Sequence, residues 1–272
     1  MTFKFSDVQK GSKDEKRKII IYGPPKLGKS TLAGSTKDVL LIPTEDRVSH
    51  IDCAKTPVVS SYQEVLDIFS ALMKEKNSYK RIMIDTLDWF EPLLHKYICE
   101  KKNFKSLTDD HNKDTSFQKG LKYHAVEGWK NFLGNCDVLR ENGYDIIFVA
   151  HSQVITVSPP DSDSYDKYVM KIDKNALAVV EEWADIIAFY EKDIIVANDT
   201  SGINKKGKAL NKKTRTLNLS GESPAMISGN SYGLPDAEVK LEHTSEIMEW
   251  LLTENNNSPK KQPTKKTKKG EK

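Results

Sequence analysis

Apolar residues along this chain follow two alternating rhythms. Short, nearly continuous apolar runs recur, separated by stretches with helical spacing. Arg17-Lys18-Ile19-Ile20-Ile21-Tyr22 is the first run, and Val39-Leu40-Leu41-Ile42-Pro43-Thr44, closing on Glu45-Asp46, is the second. Tyr79 to Asp85 is the third, and Tyr144 to Ala150, followed by His151, is the fourth. Runs this short and this apolar read as strands buried on both faces. Between them, Tyr62 to Lys76 sets Val65, Leu66, Ile68, Phe69 and Leu72 at helical spacing. Asp88 to Cys99 also reads as helix, and Tyr123 to Glu141 repeats the pattern with Val126, Trp129, Phe132, Leu133 and Leu139. Glu100 to Gln118 is polar and dense in charge, and reads as a loop or mobile insertion. Strands alternating with helices predict an α/β fold with a mostly parallel sheet flanked by helices.

Beyond Ala150 the rhythm changes. Val154 to Val157 and Tyr168 to Ile172 read as the arms of a hairpin around Ser158-Pro159-Pro160-Asp161-Ser162-Asp163. A short helix over Asn175 to Glu182 follows. Asp185 to Tyr190, Asp193 to Ala197 and Thr214 to Leu219 read as further strands, and Ser245 to Leu252 as a short amphipathic helix. Additional antiparallel strands are therefore expected toward the C-terminus. No internal repeat is visible. The organisation expected is a polar lead-in over residues 1–16, one domain over 17–254, and a tail over 255–272.

Composition adds little until the charge is divided. With 272 residues, 38% hydrophobic and 30% charged, the chain has enough apolar material for a real core. No apolar run approaches membrane-spanning length and the N-terminus lacks a signal-peptide core, so a cytoplasmic protein is expected, with no membrane partner. Cys53, Cys99 and Cys136 are far apart and form neither a metal spacing nor a disulfide framework. The net charge is +3, but residues 255–272 carry seven lysines and one glutamate, or +6, which leaves −3 for the rest. That tail has no apolar residue and is expected to be disordered. It reads either as an arm for nucleic acid, through Lys260, Lys261, Lys265 and Lys266 among others, or as a solubilising terminus.

Residues 23–30, Gly-Pro-Pro-Lys-Leu-Gly-Lys-Ser, complete a phosphate-loop pattern, and they stand between a strand and a helix opening at Thr31-Leu32-Ala33. The chemistry needs these residue types. Gly23 and Gly28 let backbone N–H groups approach phosphate oxygens, and Pro24, Pro25, Lys26 and Leu27 form the rest of the loop. The helix beginning at Gly28-Lys29 directs its positive end at the same anion. Lys29 would reach the β- and γ-phosphates, the Ser30 hydroxyl would ligate Mg²⁺, and Thr31 completes the nucleotide-binding segment. An ordinary glycine turn would leave Lys29-Ser30 unexplained. ATP and Mg²⁺ are the cofactors expected.

Hydrolysis needs a second carboxylate near the ion and a group that activates water. Asp85 ends the third apolar run, 56 residues after Lys29, and is expected at the carboxyl edge of the sheet beside the phosphate loop as the Mg²⁺-side carboxylate. The next residue is Thr86, so no adjacent glutamate is present to act as base. Glu45, at the end of the second run, is the best candidate, with Asp46 its rival and a turn-capping role the plainer alternative. His151 ends the fourth run. It reads either as a hydrogen-bond donor to the γ-phosphate, reporting its loss to the segment that follows, or as an ordinary strand-end histidine.

Taken together these residues resemble the RecA-like branch of P-loop ATPases. In that branch the catalytic glutamate ends the strand after the phosphate-loop helix, as Leu41-Ile42-Pro43-Thr44-Glu45 does, and the magnesium-side strand ends in Asp plus a small hydroxyl residue, as Asp85-Thr86 does. More narrowly, GPPKLGKSTLA, IPTED, IMIDTLDW, IIFVAHSQ and SYGLPD look like phage-encoded AAA-type ATPases related to RecA and RadA. The resemblance covers residues 17 to about 240. It implies a RecA-like P-loop core and a homo-oligomer, filament or ring, with nucleotide between subunits. It also implies single-stranded DNA as partner, in annealing or strand exchange within phage recombination. Members often carry an arginine before Tyr-Gly-Leu-Pro; here Ser231 stands there, leaving Arg215, or Arg47, as the candidate finger toward a neighbouring subunit. The segments that face DNA in RecA-like proteins correspond to Asn103–Lys122 and Val154–Lys174. The first holds Lys105, Lys113, Lys119 and Lys122 among Phe104, Phe117 and Tyr123, though Asp109, Asp110 and Asp114 dilute its charge. The expected function is a DNA-dependent ATPase of recombination, in the host cytoplasm if phage-encoded. The alternatives are an ATP-switched replication adaptor or helicase loader working on a phage or host protein, and a nucleotide-gated structural protein with negligible turnover.

Overall fold

The computed structural model describes residues 15–197 and 208–253. The elements run β1 (Lys18–Gly23), α1 (Lys29–Gly34), β2 (Val39–Pro43), β3 (Ala54–Lys55), α2 (Tyr62–Lys74), β4 (Arg81–Asp85) and α3 (Leu87–Lys102). They continue with α4 (Val126–Glu141), β5 (Asp145–Val157), β6 (Tyr165–Met170), α5 (Lys174–Trp183), β7 (Ile186–Ala197), β8 (Lys208–Asn218), β9 (Gly229–Asn230), β10 (Ala237–Val239) and α6 (Thr244–Leu252). The main sheet has the order β10-β8-β7-β1-β5-β4-β2-β3, with β6 joined to β5 and β9 to β7. Six neighbours from β7 to β3 are parallel; β6, β8, β9 and β10 pair antiparallel. The α/β class, the parallel centre and the antiparallel C-terminal strands are as the hydrophobic pattern indicates.

Alternation along the central strands divides the core into two layers. Ile20, Tyr22, Ile82, Ile84, Ile146, Phe148 and Phe189 face α2, α3, α4 and α5. Ile19, Ile21, Met83, Ile147, Val149, Ala188 and Tyr190 face α1 and α6. The first layer is held by aromatic rings, with Phe90–Phe132 centroids 4.3 Å apart, Phe132–Phe148 5.6 Å and Phe148–Trp183 5.1 Å. Each such pair adds about 0.5–1.5 kcal/mol beyond its buried area. The second layer is fastened at the edge where the parallel strands begin. Arg17 donates from Nη1 to the Leu251 carbonyl at 2.6 Å and from Nη2 to the Thr253 carbonyl at 2.8 Å, capping the end of α6. Arg81 forks onto both Glu249 oxygens at 2.9 Å.

Several elements differ from the sequence reading. β5 is unbroken from Asp145 to Val157, although Ser152-Gln153 looked like a break, because β6 takes over its hydrogen bonds from Ser152 onward. β7 likewise runs through Glu191-Lys192, carried by β8, with a bulge between Lys192 and Ile194. The stretch expected as a loop or mobile insertion is a folded loop. Leu107 is buried in it, Thr115 Oγ1 donates to the Asp109 carbonyl at 2.7 Å, and Asp109 and Asn112 side chains accept from backbone two residues on. Its charged residues mark turns rather than disorder. A Cβ at Gly120 would strike the Leu107 carbonyl, so only glycine closes this loop. A π-helical turn over Gly120–Ala125 then runs directly into α4. No helix among the described residues is long and apolar enough to cross a membrane. The lysine-rich segment 255–272, with Lys260, Lys261, Lys265 and Lys266, lies outside the described residues, as do residues 1–14.

Candidate active site at the carboxyl edge of the sheet

Every parallel strand of the centre ends at one edge, and the loops after β1, β2, β4 and the inner part of β5 converge there. The phosphate loop, Gly23 to Ser30, opens this edge. A Cβ on Gly23 would run into the Tyr190 carbonyl of β7, so the loop can leave the sheet only through glycine. Gly28 caps α1 in the left-handed region at φ 89°, with no side-chain cap on the helix. The first-turn N–H groups thus have no side-chain acceptor, as an anion cradle requires. Pro24, Pro25, Lys26 and Leu27 span the loop, with Lys26 also left-handed at φ 64°. Thr31 is exposed on the first turn of α1.

Lys29 is buried, and its Nζ donates to the Pro24 carbonyl at 2.9 Å. Burial lowers its pKa to about 8, against the pull of Asp85, Asp88 and Glu45, which favour the charged form. Asp85 is also buried, and its carboxylate oxygens make no close hydrogen bond among the described residues, although the Ser30 hydroxyl is near enough to favour the ionised form. Burial lifts it to about 6; Ser30, Lys29 and His151 work against that, and Glu45 adds to it. Two buried carboxylate oxygens facing a serine hydroxyl and a lysine form a hard oxygen donor set. Ser30 and Asp85 therefore fit Mg²⁺ as ligands that leave room for water and phosphate oxygens. No group of three or more His, Cys, Asp or Glu suited to a metal occurs among the described residues, and the three cysteines are free thiols.

β5 lies between β4 and β1, with Val149 opposite Asp85 and His151 opposite Gly23, and Asp85 acts on Ser30 and Lys29 of the phosphate loop across it. The strand ending in His151 thus sits between the two halves of the site. Glu45 is brought in by Thr44. The Thr44 hydroxyl donates to the Thr86 carbonyl and accepts from the Thr86 N–H, both at 2.8 Å, while Thr44 N–H donates to the Asp85 carbonyl at 2.8 Å. This clamp fixes the end of β2 against the end of β4. Glu45 is half-buried and its charge is felt at both Lys29 and Asp85, whereas Asp46 and Arg47 are exposed.

A partner for His151 escaped the sequence reading. Asp88, in the first turn of α3, accepts the His151 backbone N–H at 3.0 Å and lies 2.9 Å from His151 Nδ1 through its other oxygen. One turn further, Glu91 reaches the far end of the hairpin. Both its oxygens accept the Asp173 N–H, at 3.1 and 3.0 Å, and one also accepts Trp129 Nε1 at 3.2 Å. Burial, with Asp173 and Asp88 adding to it, lifts the Glu91 carboxyl from 4.5 to about 7. Between those values the folded protein holds a proton that the unfolded chain releases, so Glu91 makes stability fall as pH rises from 4.5 to about 7. Glu91→Gln is expected to remove that part of the slope, a result readable from urea midpoints of both proteins at pH 5 and pH 8.

The remaining candidates separate. Arg215 lies on β8 opposite Lys192, half-buried, with Nε buried and unpartnered among the described residues. Its charge acts on the Tyr190 hydroxyl. Lys105, Lys113, Lys119 and Lys122 are all exposed on the folded loop and the turn after it. Phe117 is 88% exposed and Tyr123 57%, with the Lys122 ammonium 5.6 Å from the Tyr123 centroid. Phe104 turns inward against His124, at 5.0 Å between rings, and is no part of this surface.

A family model described as an AAA domain matches residues 15–225. Over 180 residues the chain is 27% identical to the SPbeta prophage-derived uncharacterized protein YorG of Bacillus subtilis (strain 168), a match covering 64% of this chain and 50% of that protein. The chain spans about half the length of this curated relative. Among solved structures it is similar to one described as the crystal structure of the RadB recombinase, with TM-score 0.43 and 13% identity, covering 82% of this chain and 87% of the other.

Proposed function

The chain belongs to the AAA domain family, and from that premise we propose that it hydrolyses ATP to ADP and phosphate at the edge formed by Lys29, Ser30, Glu45, Asp85 and His151. The observation that carries this is Asp85, a buried carboxylate with no close hydrogen bond among the described residues, on which Ser30, Lys29 and Glu45 all act. The amides of Gly23 to Ser30 and the Lys29 ammonium hold the phosphates. Mg²⁺, held by Ser30 and Asp85, supplies neutralisation of phosphate charge. Glu45 takes a proton from the water whose oxygen adds to the γ-phosphorus, while the bond to the β–γ bridging oxygen breaks. His151 Nε2 faces the γ-phosphate.

We propose further that residues 17–254 form the ATPase unit, which assembles as a filament or ring on single-stranded DNA and promotes annealing or strand exchange. Lys119 and Lys122 beside exposed Phe117 and Tyr123 support this reading, since cations near open rings suit a strand's backbone and bases. Residues 255–272 would add a basic arm. The prophage origin of the similar protein fits a phage setting. The exposed Asp110 and Asp114 and the half-buried Asp109 in the same loop, and the acidic balance of the body, favour the second reading, an adaptor or loader switched by ATP on a protein partner.

The test is the steady-state ATPase rate with and without single-stranded DNA at two salt concentrations, on the full chain and on a chain ending at residue 254. Salt-sensitive stimulation, weakened by truncation, is the expected result. A rate indifferent to DNA in both proteins would favour the adaptor.

A further inference from the structure

The reaction proposed above gives Asp88 no task, yet Asp88 is built into the centre of the site. It stands three residues after Asp85, at the start of α3, with a side chain only 6% exposed. Both its oxygens engage His151. One accepts the His151 N–H at 3.0 Å, where β5 leaves its pairing with β1, and lies 3.1 Å from His151 Nδ1. The other lies 2.9 Å from the same Nδ1. Burial alone would raise the Asp88 carboxyl, but the bonds from His151 outweigh it and hold the group below the ordinary range. It is therefore an anion at neutral pH.

An ionised carboxylate only accepts hydrogen bonds, so Nδ1 must carry a proton and donate it. Nε2 is then the ring nitrogen left for a ligand. The ring cannot turn over without breaking the Nδ1 bond, and it cannot slide without breaking the backbone bond. Lys171 N–H fixes the other side of the residue, donating to the His151 carbonyl at 2.8 Å. The ring is held directly across the ladder from Gly23.

We infer that Asp88 is a positioning residue that locks the His151 ring so that Nε2 meets the γ-phosphate, and that this pair makes the site prefer ATP to ADP. The inference rests on the nucleotide reading above. It extends that reading, because it assigns discrimination between the two nucleotides to a carboxylate that touches neither. Nδ1–H donates to Asp88, and Nε2 donates to the phosphate when both ring nitrogens carry a proton, which places the ring between two anions. With ADP the second anion is missing and the contact is lost. Asp88 also favours the charged form of Lys29, but that effect acts on ATP and ADP alike, so the ratio of the two affinities reports the His151 contact.

The test is equilibrium binding of a non-hydrolysable ATP analogue and of ADP, each with Mg²⁺, to the full chain. The proteins are the parent, Asp88→Ala, His151→Ala, the double variant and Asp88→Asn. The preference for the ATP analogue over ADP should fall about tenfold or more in Asp88→Ala and in His151→Ala, the size of a lost charge-assisted hydrogen bond. The double variant should be no worse than His151→Ala alone, since Asp88 acts through the ring. Equal losses for both nucleotides, or additive losses in the double variant, would overturn the inference and leave Asp88 a structural staple. Should Asp88→Ala fail to fold by its melting curve, Asp88→Asn decides. It keeps the volume and an acceptor for the His151 N–H but removes the anion, and an unchanged preference there would equally overturn the inference. Failure of the parent to bind either nucleotide would instead sink the nucleotide reading itself. Failure to hydrolyse, with binding intact, would leave this comparison readable.

Discussion

Lys29→Ala is expected to weaken ATP binding by two orders of magnitude or more while the protein stays folded. The lost interactions are charge-assisted contacts to the β- and γ-phosphates, each worth about 1.5–3 kcal/mol, and two such contacts multiply to about 100-fold or more. Folding should not suffer in proportion. Lys29 is a buried cation that donates to the carbonyl of Pro24, and burial pulls its pKa from 10.5 to about 8. Below pH 8 the folded state bears the full cost of holding that ammonium out of water. As pH rises from about 8 to 10.5 the folded protein has shed a proton that the unfolded chain still binds, so stability attributable to Lys29 rises across that window. The alanine variant lacks this rise. Titration with a fluorescent ATP analogue, together with melting curves at pH 7.5 and pH 9.5, checks both halves. A variant that binds as the parent does would remove the phosphate loop from the mechanism.

Glu45→Gln is expected to leave ATP binding within a few-fold of the parent and to lower turnover by about 10²–10⁴, the usual contribution of a positioned general base. Glutamine keeps the shape and can still orient a water, but it cannot take its proton. The change has a second effect of known sign. Glu45 is one of the groups that raise the Asp85 pKa, so removing its charge makes Asp85 more readily ionised. Magnesium binding should therefore hold or improve, and a fall in rate cannot be assigned to loss of the ion. Single-turnover phosphate release at saturating ATP is the measurement. Turnover at the parental rate would move the base to Asp46, which is exposed on the same turn.

What the sequence disclosed follows from how local each feature is. The four central strands were legible because each carries its own apolar run, and the phosphate loop because its chemistry is confined to eight consecutive residues. Glu45 could be found as the polar residue that ends an apolar strand. Asp88 could not, because its meaning lies in a contact with His151, 63 residues away. Its position three residues after Asp85, in the first turn of α3, was the available hint. The insertion of β5 between β1 and β4 was hidden for a related reason: strand runs announce themselves, but their spatial order depends on how the connections cross. Glu91 looked like one more helical carboxylate until Asp173 arrived from beyond the hairpin. The folded loop misled in the opposite direction, since its Asp and Asn residues cap turns but resemble the composition of a disordered stretch.

β5 changes character at His151. From Asp145 to Ala150 every residue is buried, and Ile146 to Val149 have neighbouring strands on both sides; from Ser152 to Val157 the strand has β6 alone and its side chains are half or fully exposed. Opening the inner half means taking the core apart, whereas the outer half can part from β6 by a local fluctuation. Backbone amides of one continuous strand thus belong to two regimes of hydrogen exchange, one governed by global unfolding and the other by fraying. His151 sits on the seam. Under the proposed function, what the γ-phosphate does there would be felt by a segment soft enough to move, while β1, which carries the phosphate loop, belongs to the part of the molecule that opens last.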